Sequence, residues 1–535
     1  MRILIGCTLK LLLLFSVAGE PLIAQPQHNG HDVGHIPKEI LERPVTLRQG
    51  IGKVHEAVTT GSPQAQAFYD QGLAYLHSFV WIEAARSFRQ ALRLDPACSL
   101  AELGLSDAYV GLQQFPEALE AFEKAQSFAD KLTDRERFRL AIRAKQLSYL
   151  EDSGNLQKYF AYRQSVVDVL EANPKDPWFW ILRGFAEEGS PLAHGQGGSI
   201  DTFGFYETAL KFDPDSFVAH HYLAHTLENH GPVQQALEEA EIYARMAPAI
   251  PHAHHMVGHN LRRLGRTVEA IQEFLKADAL EKEYYQAEKI PPQYDWHHAH
   301  NLQLLGLSYQ ALGQMKSAEA ALHQAFSLPA FVDLAEFNRR GWPQFLLARD
   351  RPQEALDAAQ QIIDKSNSAM GRFAGQTVAG QTYLAMGRLE DAKSSLTMAE
   401  HEMERLPASF IKTLPDAGLL HAEIMVYERK WEKANPLIEK LQRELVVVPG
   451  PDAWNEALFQ LEAIAKLARQ VGDWDLAEST ANRMIQHDSS YAGGHLARAR
   501  VAEYRGDTST ERLELAAAER LWRQADAGAQ LLQSP

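Results

Sequence analysis

The sequence predicts an all-α protein folded as one solenoid of helix pairs, and three observations predict it. The stretch 68–96, FYDQGLAYLHSFVWIEAARSFRQALRLDP, sets small residues and Tyr before a turn, then Ala, an aromatic and Ala at spacings of four and three, and ends on Asp-Pro. The pattern returns over 99–128, with Leu105, Tyr109, Ala118, Phe122 and Ala125 in matching places. Turn glycines follow at intervals down the chain: Gly231, Gly265, Gly313, Gly387, Gly472 and Gly506. Strand-type alternation is absent throughout.

Each element follows from local chemistry. Small residues let two helices approach closely, and Asp-Pro stops the second helix because proline has no N–H to donate into the next turn. Units of this kind read near 215–248, 251–281, 299–329, 339–365, 373–403, 458–488 and 492–525, with degenerate pairs at 134–173, 177–213 and near 418–445. These residues resemble the tetratricopeptide repeat, whose period is about 34. The resemblance covers nearly all of the mature chain and implies a right-handed α-solenoid of about a dozen pairs, each contacting its neighbours, with one concave face.

Residues 1–24 read as an export signal: Arg2, an apolar run that includes Leu11 to Val17, and Leu22-Ile23-Ala24 before Gln25. Cleavage after Ala24 is expected, which places the mature protein in the periplasm or outside the cell. Leu4 to Cys7 has the look of a lipoprotein signal, but it precedes the apolar run instead of following it. Residues 25–50 are expected to be a flexible leader, followed by N-terminal repeats (51–213), central histidine-rich repeats (214–330) and C-terminal repeats (331–535). A glycine-rich insertion at 189–199 and a longer link at 281–296 interrupt the array. Gly195 to Gly198 leads into an expected helix start at Ser199, with the shape of an anion-binding turn but no phosphate-loop lysine.

The formal net charge of the 535 residues is −16, and losing Arg2, Lys10 and Glu20 makes the mature chain one charge more negative. So acidic a chain repels phosphate backbones and anionic lipid, which argues against nucleic acid and membrane surfaces as partners. Cys98 alone remains after processing, so neither a disulfide framework nor a cysteine zinc site is expected. No nucleophile elbow, phosphate loop or dinucleotide glycine pattern occurs, and no catalytic residue is singled out.

Half of the 22 histidines fall between His220 and His300. At about 100° per residue, His254, Val257, Gly258 and Leu261 share the core-facing arc of one helix. His252, His255 and His259 form a second stripe whose centre lies about 130° away, expected not to pack inward. His221 and His225 stand one repeat earlier, 34 residues before His255 and His259, and His300 precedes Gly313 as His252 precedes Gly265. In tetratricopeptide proteins these positions line the concave groove. The resemblance therefore implies that His221, His225, His252, His255, His259, His300 and Asn301 line it, with Glu228 on the same face. His220, His254 and His298 are assigned to packing or solvent.

Two readings of the stripe stay open. One is a groove that recognises a protein, peptide or other polar ligand through neutral imidazoles, with no cofactor. The other is a metal-binding protein or metal-assisted hydrolase, in which His221, His225, His255, His259 and His300 hold a transition metal such as zinc. Neither His-Tyr-Leu-Ala-His nor His-Met-Val-Gly-His carries the glutamate of a zinc-protease motif. The segments from about 183 to 350, among them AHHYLAHTLENHG, PHAHHMVGHNLRRLGR and DWHHAHN, are similar to a group of exported bacterial tetratricopeptide proteins. That group shows His-x-x-x-His, then His-Met-Pro-Ser-His, then His-Asn. Val257-Gly258 replaces the Pro-Ser, which removes any role for a serine there, and the group brings no activity with it.

Overall fold

The computed structural model describes residues 36–152, 154–188, 199–329, 333–406, 414–448 and 450–526. The expected export signal, the first part of the expected leader and residues 189–198 of the glycine-rich insertion lie outside the described residues. Among the described residues the chain folds into twelve helix pairs, from Pro63–Leu76 with Trp81–Leu94 to Ala492–Arg505 with Thr508–Leu521, and it contains no strand.

Local sequence explains the elements. Ser62 caps its helix by accepting from the Ala65 N–H, and Thr133 with Glu136 forms a reciprocal capping box. Small residues sit where helices cross. Phe88 lies against both Gly72 and Gly104, and a Cβ on either would come within 2.5 Å of its ring. Phe274 crosses Gly258 in the same way.

The turn between paired helices takes a left-handed residue. Gly265, Gly313, Gly387, Gly472 and Gly506 all have positive φ, and so do Phe79, Gln113, Asp350 and Arg429 at the matching turns of other pairs. Gly231 differs, with φ −113° and extended backbone, because Pro232 follows it.

Two expectations are corrected. Part of the leader is packed: Ile36, Ile40 and Leu41 are buried, and the Gly50 carbonyl accepts from Ala249 N–H at 2.8 Å. The array also departs from a stack in which each unit meets only its neighbours, because both ends turn back onto the central repeats. On the N-terminal side Trp296 Nε1 donates to the Phe79 carbonyl at 3.3 Å, and Arg43 donates to the Glu288 carbonyl at 2.9 Å. On the C-terminal side Arg262 pairs with Asp488, Gln303 Nε2 donates to Glu456 at 2.9 Å, and Trp522 Nε1 donates to the Ala311 carbonyl at 2.9 Å. The lengthened Thr267–Glu288 helix supplies much of the N-terminal contact. Among the described residues no helix is long and apolar enough to cross a membrane.

Candidate metal centre

The return of both ends covers the face that the histidines share. His221 and His255 are 0% exposed, His252 4% and His259 3%, so the stripe is interior and is not an open groove lining. The helical angle was right and its consequence was not. The arc opposite the intra-repeat core faces the superhelix interior, and this chain fills that interior itself.

Six of the histidines separate into two trios, each joining an i, i+4 pair on one helix to the first-turn histidine of the next repeat's helix. In the first, His221 and His225 come from Phe217–His230 and His252 from Pro251–Arg263. Their Nε2 atoms form a triangle with sides of 3.1 Å (His221–His225), 3.3 Å (His225–His252) and 3.0 Å (His252–His221). His221 Nδ1–H donates to the His77 carbonyl at 2.8 Å, which leaves His221 Nε2 as a bare lone pair facing the other two.

Three such atoms cannot all satisfy one another. One lone pair cannot accept two in-line N–H groups whose nitrogens are 3.3 Å apart. Burial, reinforced by neighbouring imidazoles, pushes His221 and His252 well below the ordinary histidine value. Burial likewise drives His225 down to about 4, although Glu228 pulls upward. The trio is therefore neutral at physiological pH, the form that coordinates metal. A tetrahedral zinc with nitrogens at about 2.0–2.1 Å spaces them by about 3.3 Å, close to the observed triangle.

The second trio is His255, His259 and His300. His255 and His259 bring their Nε2 atoms to 2.7 Å. Asn301 Nδ2 donates to the Phe274 carbonyl at 2.9 Å, which turns its Oδ1 toward His255 Nδ1 at 2.9 Å. Glu228 Oε1 stands 3.1 Å from His259 Nδ1, and Asp452 Oδ2 stands 3.3 Å from His300 Nδ1. Burial opposes ionisation of Glu228, but His259 beside it outweighs that and holds the carboxyl low. Burial opposes charge on His300 too, and Asp452 outweighs it, holding the imidazole above its ordinary value.

The metal reading from sequence pooled both pairs and left His252 out, and the structure redistributes them. Residues missed in the sequence complete the surroundings. Phe79 packs its ring 4.9 Å from both His221 and His252 while holding φ +61°, a strained conformation for an aromatic residue. His297 lies between the trios, 5.1 Å from His252 and 4.5 Å from His255 by ring centroids. A cavity of about 350 Å³, lined by Phe79, Trp81, Tyr284, Trp296, His297 and His252 among others, touches the first trio at His252. The turn position of Phe79, 34 residues before Gln113, was the only sequence signal for it.

Other histidines are structural. His220 joins Glu239 and the Pro214 carbonyl, and His254 makes the same two contacts one repeat later with Glu273 and Pro248. His298 is buried against Asp278.

A sequence model described as a tetratricopeptide repeat matches residues 299–330. No curated protein matches the chain. Among solved structures, a human IFIT1 dimer with PPP-AAAA is 13% identical and similar over 86% of this chain and 91% of that one, with a TM-score of 0.36. The Cut9–Hcn1 hetero-tetramer of APC/C is 11% identical over 88% and 83%, with a TM-score of 0.37. A tetratricopeptide repeat protein from Parabacteroides merdae is 14% identical over 50% and 97%, with a TM-score of 0.35. Helical repeats of the matched type generally mediate contacts between proteins. The chain contains a tetratricopeptide repeat at residues 299–330, and its described residues fold as an all-α solenoid of helix pairs.

Proposed function

We propose that this protein binds a transition-metal ion of the zinc class at His221, His225 and His252, in a centre enclosed by its own N-terminal and C-terminal repeats. The Nε2 triangle carries the reading. Three neutral imidazoles aim the same nitrogen at one point, and the His77 carbonyl fixes one of them in the ligating tautomer. An outer hydrogen bond of that kind is what orients metal-bound histidine. Three protein nitrogens leave a fourth tetrahedral position for water or a small ligand, the arrangement of a catalytic rather than a closed structural site. The adjoining cavity offers a route for such a ligand.

A protein or peptide laid in an open histidine groove is the weaker reading, because no peptide reaches imidazoles this deeply covered. Export to the periplasm or beyond is part of the proposal and rests on residues 1–24.

The test is metal analysis of protein purified without an affinity tag, together with melting curves with and without added zinc. Retained metal, or a raised melting temperature on adding zinc that His252→Gln abolishes, is expected. An ion that binds only the folded state adds about 2.7 kcal/mol at a hundredfold excess over Kd. Metal-free protein whose melting ignores zinc, cobalt and copper would overturn the reading.

A further inference from the structure

The trios are related by the repeat itself. His255 and His259 follow His221 and His225 by 34 residues, and His300 stands before Gly313 as His252 stands before Gly265. One step along the solenoid therefore carries each ligand position of the first trio onto one of the second. We propose that His255, His259 and His300 form a second transition-metal site, so that the central repeats hold two ions side by side. This rests on the metal reading of the first trio and adds to it.

Geometry supports the second site independently of the register. The Asn301 amide is oriented by its bond to the Phe274 carbonyl, so His255 Nδ1 is the protonated nitrogen and His255 Nε2 is a lone pair. Glu228 beside His259 Nδ1 favours the same tautomer there. Two buried lone pairs 2.7 Å apart repel unless a proton or a cation lies between them. The third member, His300, has its Nδ1 against Asp452 and its ring 4.7 Å from that of His255. All three imidazoles thus have an acceptor near Nδ1, hydrogen-bonded at His255 and a carboxylate within ion-pair reach at His259 and His300, the kind of outer support that orients metal-bound histidines.

Imidazole nitrogens select a borderline ion such as zinc, cobalt or copper over the hard ions calcium and magnesium. Rings of the two trios adjoin, with the centroids of His252 and His255 5.8 Å apart on one helix. The second site also draws on the far end of the chain, since Asp452 belongs to the Pro451–Val471 helix. Metal there would tie the C-terminal repeats to the central ones.

The experiment titrates the full-length chain, stripped with chelator, with cobalt and then zinc, counting ions by visible absorption and elemental analysis. Two ions per chain are expected for the unaltered protein. His259→Gln and, separately, His300→Gln should each bind one, His221→Gln should bind one, and His221→Gln with His259→Gln should bind none. His300 is the least buried of the second trio, so its variant serves if His259→Gln melts too low to titrate. One ion per chain that His221→Gln removes, and that both second-site variants keep, would overturn the second site and leave the first standing. One ion that His259→Gln removes and His221→Gln keeps would overturn both the pair and the assignment of the first site. No ion at all would overturn both proposals.

Discussion

Arg262 and Asp488, 226 residues apart in sequence, meet at 2.8 Å between Nη1 and Oδ2 in a pair almost wholly shielded from solvent. Arg262 also lies over the Trp454 ring at 5.0 Å. This contact fastens the C-terminal repeats across the histidine-bearing face. Its repeat equivalent is Glu228, 34 residues earlier, so one register position supplies an anion to His259 in one unit and a cation to Asp488 in the next.

Removing one partner of a buried pair strands the other charge, at a cost of about 3–5 kcal/mol. Arg262→Ala should therefore lower the melting temperature and speed amide exchange in the Pro451–Val471 and Trp474–His487 helices ahead of the N-terminal pairs. Melting and exchange identical to the parent would show that this contact does not hold the end in place.

Gly258 has no room for a side chain, since a Cβ would lie 2.6 Å from Phe274 Cε1. Gly258→Leu should overpack this crossing and cost about 1–3 kcal/mol, or more if the two helices cannot part. Denaturant unfolding checks it, and an unchanged midpoint would mean the Phe274 ring is not held as described.

The double change His255→Ala with His259→Ala separates the structure from the sequence-based expectation. Stripe residues pointing away from the core would be removable without cost, whereas here both rings are buried and pack on Phe274 at 5.5 and 6.1 Å. Emptying two buried ring sites should cost several kcal/mol, by analogy with the roughly 2–5 kcal/mol of single large-to-small core changes. Circular dichroism melting of metal-stripped protein gives the answer, and unaltered melting would restore the exposed-groove reading.

Much of this was legible in residues. The 34-residue recurrence of His221 and His225 as His255 and His259, with the turn glycines, placed both pairs on equivalent faces of neighbouring helices. The structure then pairs His252 with the earlier unit and His300 with its own predecessor. That choice is invisible in one helix's angular plot because it depends on how adjacent first helices lean together. Burial was not legible either. It follows from the superhelix closing, which sums a small rotation at every unit and brings Asp452 and Asp488 beside residues near 260 and 300. No local pattern encodes that sum. Phe79 was hidden for a related reason, since a left-handed turn is read from glycine and this turn uses an aromatic.

Glu423 is buried and bonded to Gln381 Nε2, and burial pushes its carboxyl from an ordinary 4.5 up to about 7. The folded chain therefore keeps this proton up to about pH 7, while the unfolded chain releases it near 4.5. Folding takes up a proton in that window, so this group's contribution to stability is best at the acid end and is lost as pH rises through 7. The penalty at pH 8 is about 3 kcal/mol, at 1.36 kcal/mol per pH unit of displacement. Glu423→Gln should be the more stable protein at pH 8, with the advantage shrinking toward pH 5. A difference between the two that is flat from pH 5 to 8 would contradict the burial.

His221, His225 and His252 are proposed to hold one ion through Nε2. X-ray absorption at the zinc edge of the zinc-loaded His259→Gln chain, in which the second trio is disabled, tests it most directly. Three imidazole nitrogens at about 2.0–2.1 Å with one further light atom are predicted, falling to two imidazoles when His252→Gln is added. A shell of oxygen scatterers without imidazole, or a spectrum that His252→Gln leaves unchanged, would contradict it.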